Sequence, residues 1–91
     1  MEQANVGDWQ VRTVVAFLQS QFPGRSVDHF TRGRAAELFH VSEAGRLVHQ
    51  LYVSRKFLAR ATDPAALAET LFTADIVGSM RHVGTTTIEL H

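Results

Sequence analysis

The chain has no cysteine, which excludes a disulfide framework, thiolate metal sites and a cysteine nucleophile together. No apolar run approaches the roughly 20 residues that cross a bilayer. The start, Met1-Glu2-Gln3, lacks the basic and then apolar opening of a secretory signal. A cytoplasmic protein with no membrane contact is the expectation. There is no excess of charge of either sign: Lys plus Arg and Asp plus Glu both number 9, for a net charge of zero at pH 7. The overall basic balance of a dedicated nucleic-acid binder is therefore missing. Nor is there a nucleophile elbow, a glycine-rich phosphate loop, or an HxH or HExxH pattern. No motif names a reaction, and neither a cofactor nor a metal is assigned.

What is present is ordinary for a folded chain, with 45% hydrophobic and 20% charged residues. At 91 residues the length fits one core and not two. No linker, repeat or low-complexity tract divides the chain, so residues 1–91 are expected to form a single domain. Arginine outnumbers lysine 8 to 1, a bias of GC-rich codon usage that carries no functional content.

Val11, Val14, Val15, Leu18 and Phe22 recur at helical spacing, which predicts a helix over 8–22 with Asp8 as its cap and Pro23-Gly24 as its stop. The pattern then changes to a period of two. Ser26 to Arg32, Ala35 to Ser42, and Arg46 to about Arg55 read as a three-stranded antiparallel meander, with Gly33 and Gly45 in the reversals. Thr62-Asp63-Pro64 has the features of a second helix start. Helical sequence runs to about His82, but its apolar residues form two stripes. Leu67, Leu71, Ala74 and Gly78 lie on one side, and Phe72, Ile76, Met80 and Val83 roughly opposite. A break near Thr73-Ala74-Asp75 would reconcile them. Gly84 closes the segment, and the β-branched stretch Thr85 to Leu90 predicts a last strand. The expected fold is α+β, a single compact domain in the order α-β-β-β-α-β, with an antiparallel sheet and the helices packed on one face.

A three-residue loop ending at Gly45 would set Leu38 opposite His49, His40 opposite Leu47 and Ala36 opposite Leu51, making these the core side. Phe30, Phe39, Val48 and Tyr52 then fall on the other face, where two helices cannot reach. An apolar patch of that kind is the usual mark of a protein–protein surface, and the commonest assembly is a two-fold homodimer. Trp9, on the far side of the first helix, is either covered or available to a partner.

Charge suggests the main alternative. Residues 25–60 carry a net +4, and Arg32, Arg34, Arg46, Arg55 and Lys56 beside Phe39 and Tyr52 would suit single-stranded nucleic acid, which wants cations for phosphates and rings for bases. The element order is similar to that of the double-stranded-RNA-binding domain. Yet the start of the second helix reads Thr62-Asp63-Pro64-Ala65-Ala66, with no lysine for phosphate, so the order alone implies no function. The third reading is a small metal-binding protein or enzyme. His29, His40 and His49, on consecutive strands, would share a face in the expected register, but no carboxylate pattern completes a ligand set. The reading that fits best is a non-enzymatic, self-associating interaction module.

Overall fold

Local signals decide where each element begins and ends. A computed structural model describes residues 7–91. Its elements run α1 (Asp8–Gln21), β1 (Ser26–Arg32), β2 (Ala36–Glu43), β3 (Arg46–Ser54), α2 (Arg55–Ala59), α3 (Pro64–Thr73), α4 (Ile76–Val83) and β4 (Thr87–Leu90). The N-cap of α1 is Gly7, one residue before the expected Asp8, and the Gln10 side chain accepts from the Gly7 N–H at 2.7 Å. Asp8 sits instead in the first turn, where a carboxylate complements the helix dipole. At the start of α3 the Asp63 side chain accepts from Ala66 N–H at 2.8 Å and Pro64 occupies the first turn, where its missing donor costs nothing.

The long helical segment does break, between α3 and α4. Asp75 at the joint has φ +54°, a left-handed conformation that ends α3 and turns α4 to a new facing. Leu67 and Leu71 of α3 and Ile76 and Met80 of α4 can then all be buried on the same core. The second apolar stripe expected of an unbroken helix therefore needs no outside cover, except at Phe72. The short α2 was not expected. The β3 alternation runs into it without a breaker, and only the Ser54 hydroxyl, accepting from Phe57 N–H at 3.0 Å, marks its start.

The sheet order is β1-β2-β3-β4, antiparallel except for the last pair, where β4 runs parallel to β3. Three helices between β3 and β4 carry the chain back to the end of the sheet where β3 began, as a parallel partner requires. The core lies between the helices and one face of the sheet. Val14, Phe17, Leu18 and Phe22 from the α1 region meet Phe39, Val41, Leu51 and Val53, closed by Leu58, Leu67, Leu71, Ile76 and Met80. Trp9, Val27, Ile88 and Leu90 pack partly against this cluster, so Trp9 is a covered residue.

Candidate partner-binding face

The β2–β3 turn decides which side chains reach solvent. Ala44 and Gly45 take φ +52° and +80°, and Glu43 pairs with Arg46, so the turn holds two residues and not three. An irregularity at Val41/Ser42 shifts the register once more, and Leu38 pairs with Tyr52 where His49 was expected, a displacement of three positions. An odd displacement turns every β2 side chain over. Phe39 is thus not on the open face. It pairs with Leu51 and has no exposed surface, inside the core, while Leu38 takes its place outside. Val48, beside the irregularity, packs partly against the core as well.

The open face can be read in rows across the strands. One row is Phe30, Leu38, Tyr52 and Glu89; beside it runs Asp28, His40, Gln50 and Thr87; on the other side lie the exposed Arg32 and the buried Ala36 and Ser54. Phe30 is 47% exposed, with Leu38, His40 and Tyr52 half-buried. Rings on this face meet one another: Phe30 and His40 at 4.9 Å, Tyr52 and His91 at 5.4 Å. Of the four residues expected to form a partner surface, the structure brings Phe30 and Tyr52 together and adds Leu38 and His40.

The covered face holds a polar cluster that the sequence did not disclose. Glu37 is 2% exposed, and its carboxylate accepts from the Thr31 hydroxyl at 3.0 Å, from His29 Nε2 at 2.5 Å and from the Arg55 guanidinium. A buried carboxylate needs partners of this kind, since an unpaired one in low dielectric is strongly disfavoured. All its close contacts are internal, so the cluster ties β1, β2 and the start of α2 together.

The remaining expected residues separate. Arg55 is committed to Glu37. Arg46 lies at the opposite end of the sheet from Arg32, in register with Glu43. Arg32, Arg34 and Lys56 are exposed near one end, because the Arg55 N–H donates to the Ala35 carbonyl at 2.9 Å and joins the β1–β2 turn to α2. The three histidines do not share a face. His29 stacks on core Phe39 and His49 on Phe22, with His49 Nδ1 donating to the Gly84 carbonyl at 3.2 Å, whereas His40 is on the open side. Among the described residues no group of three or more His, Asp and Glu is placed to hold a metal ion. Nor is any helix among them long and apolar enough to cross a membrane.

A second exposed ring lies on the helix side. Phe72, 70% exposed, borders a groove lined by Phe17, Gln21, Val77 and Arg81.

Fold and surface together define a two-layer α+β domain with helices on one side of a four-stranded sheet and, among the described residues, Phe30, Leu38, His40 and Tyr52 partly exposed on the other. No protein-family model, curated protein or solved structure matches the chain.

Proposed function

We propose that this is a small non-enzymatic protein–protein interaction module that self-associates through the open face of its sheet. The observation that supports this reading is the row Phe30–Leu38–Tyr52, apolar across three strands, with the ring of its neighbour His40 tilted against Phe30. Sheets bury apolar rows of this kind against a second layer, and here the helices occupy only the other side. The most elaborate polar cluster, around Glu37, is spent on internal pairing, which favours a binding role over a catalytic one.

Molar mass in solution across a concentration series tests the proposal, with Tyr52→Glu and Phe72→Glu as contrasting variants. The expected result is a wild-type dimer, a folded Tyr52→Glu monomer and an unchanged Phe72→Glu dimer. A wild-type monomer throughout, or dissociation by Phe72→Glu alone, would overturn it.

The second reading, single-stranded nucleic-acid binding, retains the exposed cations Arg32, Arg34 and Lys56 and the ring of Tyr52. With Phe39 in the core and Arg55 paired, it has fewer groups than the sequence offered. Salt-dependent retention on a single-stranded oligonucleotide at low ionic strength is its test.

A further inference from the structure

The occupant of an open sheet face is constrained by the charges around it. Phe30 lies midway between Asp28 and Arg32 on β1, each two residues away, or about 7 Å along the strand. Both charged residues are exposed, and neither forms an ion pair among the described residues. They are placed symmetrically about the apolar row and carry opposite signs.

Resting on the proposed self-association, we infer that the partner is a second copy related by a two-fold axis lying along the Phe30–Leu38–Tyr52 row, perpendicular to the strands. Such an axis stacks the row of one copy on the same row of the other. It also reverses the strand direction, so that Arg32 of each copy comes over Asp28 of its mate, giving two equivalent charge pairs. A two-fold interface must be self-complementary, and this arrangement meets the condition with side chains that form no ion pair among the described residues. Aligned packing of two sheets about 10 Å apart, with strands within about 30° of one another, is a standard geometry for such layers. Glu89, which the same axis brings toward its own copy, already accepts a hydrogen bond from His91 Nε2 at 2.9 Å. An axis between β2 and β3 parallel to the strands would instead set Phe30 against Glu89 and leave Asp28 and Arg32 unmatched.

The test exchanges the charges. Asp28→Arg gives a chain with two cations flanking Phe30, and Arg32→Asp one with two anions. Each variant alone should melt like the wild type, because both positions are exposed, and should self-associate about tenfold or more weakly, because every cross-copy charge contact is now repulsive. Mixed in equal amounts they should form a heterodimer about as tight as the wild-type dimer, seen by native mass spectrometry with one chain isotopically labelled. Added salt should narrow the difference between the homodimers and the mixture. If neither single variant weakens self-association, or the mixture yields no preferred heterodimer, the axis is wrong. Dissociation by Tyr52→Glu in that same experiment would leave the open-face reading standing without it. A monomeric wild type would end both.

Discussion

The two faces of the sheet are built from alternate residues of the same strands, yet they solve opposite problems. Beneath the helices, Phe39, Val41, Leu51 and Val53 are wholly buried and the one carboxylate, Glu37, is surrounded by donors. On the open side, Phe30, Leu38 and Tyr52 stay partly in water, and the charged Asp28 and Arg32 have no ion-pair partner among the described residues. The contrast separates what holds the domain together from what it can offer to another molecule. Side chains completed within the monomer report on stability, and those left incomplete report on association.

Substitutions on the covered face should cost the most. Phe39→Ala removes a fully buried ring and is expected to lower the unfolding free energy by about 3–5 kcal/mol, measured by urea denaturation. Arg55→Ala leaves Glu37 buried without its guanidinium, and a loss of about 3 kcal/mol is expected. The double variant Glu37→Leu/Arg55→Leu removes the buried charge along with its partner. It should recover much of that loss, which would show that pairing, and not the charge itself, is what the fold requires. The turn that sets the two facings gives a smaller effect of opposite sign. Ala44 holds a left-handed conformation that disfavours a Cβ, so Ala44→Gly should raise stability by about 0.5–1 kcal/mol in thermal denaturation. The smallest change in monomer stability belongs to the open face. Tyr52→Glu is expected to shift it by about 0.5 kcal/mol while halving the molar mass in solution.

Much of the architecture was legible because its signals are local. Ser26 to Arg32 is bounded by the turn residues Pro23-Gly24 and Gly33, Asp63-Pro64 begins a helix by ordinary capping chemistry, and two incompatible apolar stripes exposed the break at Asp75. What was misread depends on the β2–β3 turn and the irregularity beside it. Ala44 is not a residue that announces a left-handed conformation, and nothing local marks the shift at Val41/Ser42. The turn alone moves the register by two positions, and the irregularity makes the displacement odd, so the expected register had β2 turned over and Phe39 outside. The same register error would place Glu37 on the open face. Its partner Arg55 lies 18 residues along the chain, a pairing that no local pattern encodes. The parallel direction of β4 is likewise a long-range property, set by the crossover through α2, α3 and α4. Of the candidate surface, the residues on β1 and β3, Phe30 and Tyr52, were legible, and those on the misregistered β2, Leu38 and His40, were not.

The most direct measurement places the same charge on each face and reads folding and mass together: Phe30→Glu beside Phe39→Glu, by circular dichroism and by light scattering after size exclusion. Phe30→Glu should melt close to the wild type and elute as a monomer, while Phe39→Glu should fail to fold. A folded Phe39→Glu, or a Phe30→Glu that keeps the wild-type mass at every concentration, would contradict the division between a face that holds the fold together and a face that binds.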